Sequence, residues 1–169
     1  MKGKATTGSF EEAAKHGELV VLATRGAAVE EVLKGVGYAR FDGKVVIDVT
    51  NPLADDPNLV PFVGMTDSLG ERIQRALPRA RVVKAFNTVP NTQMVDPKFA
   101  GGTPDLMICG NDAAAKKAVA GIVKEFGWPG ALDLGAIEGA RWLEASVSIR
   151  VLVGMHIGRW DHAFKVVHG

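Results

Sequence analysis

The chain has 169 residues, 47% of them hydrophobic and 23% charged, with a formal net charge of +1. That balance gives no electrostatic ground for a nucleic acid or an acidic membrane as partner. The single cysteine, Cys109, excludes an intramolecular disulfide and a metal site built on several cysteines. No apolar stretch has the length of a membrane span, and residues 1–8 hold no signal core, so a soluble cytoplasmic protein of one domain is expected.

In chain order, Ser9-Phe10-Glu11-Glu12 fits a capping box, and a short helix should follow and end near Gly17. Residues 19–23 read as a buried strand that stops at Thr24-Arg25-Gly26. Residues 27–34 suit a helix with Val29, Val32 and Leu33 on one face and Gly35 or Gly37 beyond its end. The run Val45-Val46-Ile47-Asp48-Val49 is a second buried strand, ended by Thr50-Asn51-Pro52. A loop over 53–66 precedes Ser68-Leu69-Gly70-Glu71, a second capping box, and a helix to about Leu77. Residues 81–86 form the next strand, closed by Asn87-Thr88. A further strand, 105–109, leads through Asp112 to a helix over 113–126 and a short strand near 131–134. The remainder, 136–167, is expected to be mostly helical with a break near Gly154 or Gly158. Alternating strands and helices predict an α/β fold, a parallel sheet built from β-α-β units.

Three successive strands end alike, in Ala-Thr-Arg-Gly (23–26), Thr-Asn-Pro (50–52) and Phe-Asn-Thr (86–88). In open α/β sheets ligands sit beyond the carboxyl ends of the strands. Small, hydroxyl and amide side chains leave room there and supply neutral hydrogen bonds. The competing reading is that Asn, Thr and Pro are simply turn residues. A dinucleotide site should also carry Gly-x-Gly-x-x-Gly between a strand and a helix. Gly35-Val36-Gly37 and Gly101-Gly102 stand in the wrong order for it, each ahead of a strand.

Ser-Phe-Glu-Glu-Ala-Ala (9–14), Val-Val-Ile-Asp-Val-Thr-Asn-Pro-Leu (45–53), Thr-Asp-Ser-Leu-Gly-Glu (66–71), Val-Val-Lys-Ala-Phe-Asn-Thr-Val (82–89), Cys-Gly-Asn-Asp (109–112) and Trp-Asp-His-Ala-Phe (160–164) together resemble the coenzyme F420-dependent NADP oxidoreductases. The resemblance runs from about Lys4 to Val167. It implies a single, partial NAD(P)-binding Rossmann-like domain with C-terminal helices over about 136–167. It implies NADP(H) as cofactor and hydride transfer to or from a deazaflavin, coenzyme F420, or a similar acceptor such as flavin. Family members begin with a glycine-rich βαβ unit that this sequence lacks, a piece on the order of 30–50 residues. The chain is therefore expected to be N-terminally truncated, either a fragment with a gap in the middle of its sheet or a sheet closed over that gap, and to bind NADPH weakly or not at all.

The family places the nicotinamide half of NADP at these strand ends. The positions that carry over are Thr24, Arg25, Gly26, Asn51, Pro52, Asn87 and Asn91. Arg25 either meets a phosphate or lies solvated; Asn51 and Asn87 either bond the carboxamide or cap their own turns. No general acid or base and no metal ligand is assigned, because the cofactors carry the hydride chemistry. His16, His156, His162 and His168 read as structural or surface residues, with His162 packed beside Trp160 and Phe164. Arg141 and Glu144 read as a surface ion pair, and Trp142, Val147, Val151 and Met155 as a stripe for core or dimer contact. The alternative to an enzyme is a degenerate Rossmann module whose exposed sheet edge pairs two copies, and a homodimer is expected in either case.

Overall fold

The computed structural model describes residues 5–54, 59–167 and 169; His168 and part of the 53–66 loop lie outside these. Two β-branched runs, β1 (Leu19–Leu22) and β2 (Val45–Asp48), lie side by side in parallel, and β3 (Arg81–Lys84) adds to β2 in the same direction. The sheet has five strands, completed by β4 (Leu106–Gly110) and β5 (Ala131–Asp133), in the order β1-β2-β3-β4-β5. Alternate residues face opposite sides, and both sides are covered. Val46 and Val82 pack with α2 (Val29–Val36) and α3 (Leu69–Ala76). Ile47 and Val83 pack with α4 (Ala113–Glu125). Burial on both faces is why the strand sequences are continuous rather than alternating.

Local signals set the helix ends. In α1 (Phe10–His16) the Ser9 hydroxyl accepts from the Glu12 amide, and the Glu12 carboxylate accepts from the Ser9 amide at 2.7 Å. The Ser68 and Asp112 side chains cap α3 and α4 by accepting from the Glu71 and Ala115 amides, each worth about 1 kcal/mol, but the expected box at Ser68 is not reciprocal: the Glu71 carboxylate takes the Ser68 hydroxyl instead. Gly37, at φ +89°, stops α2. The long α5 (Ala140–Ile157) crosses α3 where Gly70 has no side chain; a Cβ there would stand 2.9 Å from that of Ala140.

Four expectations change. β3 and β4 pair antiparallel, so the sheet is not wholly parallel. Only a single 3-10 turn, and no α-helix, intervenes between them, and a parallel pairing needs a crossover. Of the two expected sheets the gapped one is absent: the five strands are contiguous in chain order, with β1 at the margin. The C-terminal segment holds one helix, α5, which ends at Gly158 (φ +67°), and residues 159–167 continue as an irregular strap. Trp160 of that strap lies on Gly154, where a Cβ would be 2.7 Å from the indole.

Fourth, the side chains of α5 sort differently. Arg141 reaches α3, where its guanidinium grips the Glu71 carboxylate through two hydrogen bonds of 2.8 and 2.5 Å, while Glu144 points inward and is buried. Residues three apart on a helix are separated by about 60°, enough here to send one to the flank and one to the core. Val147 and Val151 are buried, but Trp142 and Met155 are exposed. The step of five from Trp142 to Val147 turns most of the way to the opposite side. His162 is half-buried, with Nε2 2.9 Å from the Arg150 carbonyl and Nδ1 3.1 Å from that of Arg159, so it ties the strap to α5 rather than packing by its aromatic neighbours alone.

Candidate functional site

The carboxyl ends of β1, β2 and β3 are laced together. Gly26, beyond β1, presses on the backbone beyond β2: a Cβ at Gly26 would fall 1.8 Å from the Asn51 carbonyl oxygen, so glycine alone fits. The Asn51 amide donates to the Asn87 carbonyl at 3.2 Å. The Asn87 amide donates to Asn51 Oδ1 at 3.3 Å and to the Leu143 carbonyl of α5 at 3.0 Å. Phe86, buried at φ +59°, turns the chain ahead of Asn87. A bulky residue in that conformation carries backbone strain, a condition that concentrates at ligand sites.

A cleft of about 300 Å3 opens between the β1 and β2 ends, lined by Thr24, Arg25, Gly26, Asn51, Leu53 and Leu59 among others. At these strand ends two buried polar atoms have no protein partner: Thr24 Oγ1 of the cleft wall, and Asn87 Oδ1, which lies behind Asn51 rather than in the cleft lining. Unpartnered buried polar atoms are uncommon and call for an explanation. A carboxamide matches them in kind, since it offers an NH2 donor to an amide oxygen and a carbonyl to a hydroxyl. Pro52 is buried and its carbonyl accepts from Phe62, which holds the following loop. Asn91 stands apart: it is exposed at the start of a short turn, and its Oδ1 accepts from the Thr92 amide. Larger clefts, of about 500 and 600 Å3, lie between residues 98–104 and the strap and beside β1. Neither combines strand carboxyl ends with unpartnered buried atoms.

Beneath the strand ends lies a buried ionic network that the sequence reading missed. Lys84 Nζ donates to Asp48 Oδ2 at 2.8 Å and to the Thr50 carbonyl at 2.7 Å, and lies 2.9 Å from Glu144 Oε1. Its three protons thus have three acceptors. Asp48 Oδ1 accepts from both the amide and the hydroxyl of Thr50. The Glu144 carboxylate also accepts from the Leu69 and Gly70 amides, the first turn of α3, where a negative charge is favoured. Burial pulls the Lys84 pKa down, but the charges of Asp48 and then Glu144 outweigh it and hold it above the ordinary lysine value. Nearby, burial pushes the Cys109 thiol up to about 12, which leaves it an inert core residue. The network fixes Thr50 from below and Leu143 from behind, so the amides of Asn51 and Asn87 sit on a rigid base. The available signal was a charge inside each of two apolar runs, Asp48 and Lys84, which turn out to be directly opposed in the sheet.

Among the described residues no group of three or more His, Cys, Asp or Glu is placed to hold a metal ion, and no helix is long and apolar enough to cross a membrane.

Comparison with known proteins meets the same family. Residues 1–52 match the model of the NADP oxidoreductases described as coenzyme F420-dependent. The F420-dependent NADP reductase of Methanocaldococcus jannaschii is 30% identical over 151 residues, which are 87% of this chain and 66% of that protein. The chain thus spans slightly less than two thirds of that relative. The crystal structure of a candidate F420-dependent NADP reductase from Arthrobacter sp. FB24 is 38% identical and superposes with a TM-score of 0.90, covering 95% of this chain and 74% of that one. Plasmodium falciparum pyrroline carboxylate reductase with NADP bound, at 16% identity and a TM-score of 0.56 over 90% of this chain and 49% of its own, shares the fold. The resemblance read from the sequence is borne out: the chain belongs to the coenzyme F420-dependent NADP oxidoreductase family.

Proposed function

We propose that the chain is the nicotinamide-facing part of an NADP(H)-dependent oxidoreductase that transfers a hydride between NADP(H) and coenzyme F420 or a similar acceptor. The observation that carries this reading is the pair of unpartnered buried atoms, Thr24 Oγ1 and Asn87 Oδ1, at the carboxyl ends of β1 and β3, on either side of the β2 end. Family membership supports it. Thr24 and Asn87 would hold the carboxamide, Asn51 would back Asn87, and Gly26 and Pro52 would shape the wall. Arg25, exposed on the cleft rim, would meet a phosphate. Asn91 belongs to the proposal only as a rim residue.

Hydride transfer asks the protein to hold two reacting carbons about 3–3.5 Å apart and to exclude water. NADP(H) supplies the hydride chemistry when bound. The chain's own part is orientation, with neutral donors and acceptors on a fixed base and no proton relay. Because the sequence carries no glycine-rich turn for a pyrophosphate, affinity for NADPH should be weak, on the order of millimolar or about 4 kcal/mol.

Saturation-transfer NMR with reduced nicotinamide mononucleotide tests the site. Thr24→Val with Asn87→Leu should abolish the nicotinamide signal, whereas an unchanged signal would sink the reading. Thr24→Val alone should leave unfolding unaffected or slightly improve it, since it removes an unsatisfied hydroxyl without changing shape.

A second reading, a non-enzymatic module that pairs copies through its sheet margin, draws on one observation: β1 is an edge strand and Val21 is exposed there. In either reading the chain is proposed to work as a homo-oligomer.

A further inference from the structure

We propose that the cleft between the 98–104 loop and the strap is a second binding site, one for a small molecule that carries a phosphate group on an apolar body. The cleft lies beside the start of β4, across β3 from the Thr24–Asn51 cleft and about 10 Å or more from it along the sheet. Its volume of about 500 Å3 is that of a small-molecule pocket. Among the described residues no hydrogen bond joins its two walls to each other; the strap is held to α5 and to Asp105 instead.

Its charges are unevenly matched. Lys98, Arg159, Asp161 and Lys165 line it. Arg159 and Asp161 satisfy each other, the guanidinium donating to both carboxylate oxygens at 3.0 and 2.8 Å. Lys98 stands on the loop wall and Lys165 on the strap wall, and among the described residues neither ammonium has a hydrogen bond or an ion pair. Both are nevertheless mounted on fixed backbone. The Lys98 amide donates to Gln93 Oε1 at 2.7 Å. Lys165 lies between Phe164, whose carbonyl accepts from the Asp105 amide at 3.1 Å, and Val166, whose amide donates to the Asp105 carboxylate at 2.7 Å. Its ammonium reaches across to the loop: a Cβ on Gly102, at φ +104°, would stand 3.7 Å from Nζ.

The unspent groups select the ligand. A planar carboxylate is matched by a guanidinium fork, and the fork here is taken by Asp161. Two ammoniums are compact charges, and from opposite walls they suit a tetrahedral group with more than one negative charge, a phosphate. The rest of the lining sets the body of the molecule. Phe99 and Ala163 pack against the core that holds Leu106 and Ile108, and Ile157 is exposed at the end of α5, so an apolar surface lies beside the lysines. A nucleic acid needs a basic track along its backbone, which two lysines in one concavity do not make. A phosphate held by both would be the polar link between loop and strap that the chain itself lacks.

Equilibrium dialysis of the full chain against phenyl phosphate tests this. The dissociation constant should be on the order of 0.1 mM. Inorganic phosphate, which has no apolar body, and benzoate, which has no phosphate, should each bind about tenfold more weakly or worse. Lys98→Gln and Lys165→Gln should each weaken phenyl phosphate by about tenfold or more, as loss of a charge-assisted bond does. Both side chains are exposed, so neither change should disturb folding, and Lys117→Gln on the open face of α4 should change nothing. Thr24→Val with Asn87→Leu should bind phenyl phosphate as the unaltered chain does. Loss in that double variant would put the ligand in the other cleft and overturn the proposal. So would absence of binding in the millimolar range, benzoate or inorganic phosphate bound as tightly as phenyl phosphate, or an affinity indifferent to both lysines.

Discussion

The two faces of α5 are both largely apolar, and its one buried charge lies on the inner face. There Glu144, among Leu143, Val147 and Val151, meets a buried ammonium; the outer face shows Trp142, Ile149 and Leu152 to solvent. The difference teaches that burial and polarity follow different demands along one element. The inner charge is tolerated because every proton of the Lys84 ammonium has an acceptor and every carboxylate oxygen of Asp48 and Glu144 a donor, including two amides of α3. Such a set adds little net stability but is costly to break.

The largest expected effect is therefore at the inner face. Lys84→Met leaves two buried carboxylates unpaired and should cost about 3–5 kcal/mol in urea unfolding. The pH dependence has a definite sign. Lys84 is held above the ordinary lysine value, so its contribution is complete below about 10.5 and lost as pH rises through its higher folded value. Alkaline unfolding of the native chain should show that loss, and Lys84→Met should not.

Two leucines then set the faces against each other. Leu143 is 1% exposed and Leu152 66%. Leu143→Ala should cost about 2–4 kcal/mol, and Leu152→Ala under dilute conditions, with the chain dissociated, less than about 0.5 kcal/mol. Equal costs would mean that the outer face is already packed, and the comparison would fail. Gly154→Ala sits between these. Its methyl would strike Trp160, but an exposed indole can shift, so a cost of about 1 kcal/mol and a change in tryptophan emission are expected. The smallest effect belongs to the surface. A hydrogen bond from Arg75, the main cause, holds the Asp67 carboxyl at about 2, so its contribution is present above about 3.8 and lost as pH falls through about 2. With Asp67 partly exposed, Asp67→Asn should shift acid unfolding by no more than about 0.5 kcal/mol.

The strands, caps and strand ends were legible because each is written locally. Val45 to Asp48 is a continuous run closed by Thr-Asn-Pro, and Ser9 with Glu12 is a complete capping signal. What stayed hidden depends on distant pairing. Lys84 finds Asp48 across a strand and Glu144 from another helix, and nothing local separates Glu144 from a surface partner of Arg141. The direction of β4 was hidden for a related reason. A strand's sequence carries no sign of its polarity; only the missing helix between residues 87 and 105 hinted at it. Of the strand-end positions, Thr24, Gly26, Asn51 and Asn87 converge, whereas Asn91 satisfies its own turn.

The reversal of β4 also decides where positive potential falls. Helix amino ends carry partial positive charge. Because β4 runs opposite to β3, α4 begins at the far side of the sheet, and its amino end cannot act on a molecule at the β1–β3 rim. The amino end of α3 is already spent on Glu144. Among the described residues, α2, entered through Gly26, begins at the rim with no side-chain cap hydrogen bond on its amino end. An anionic group at this rim would settle at the β1 side, beside Arg25.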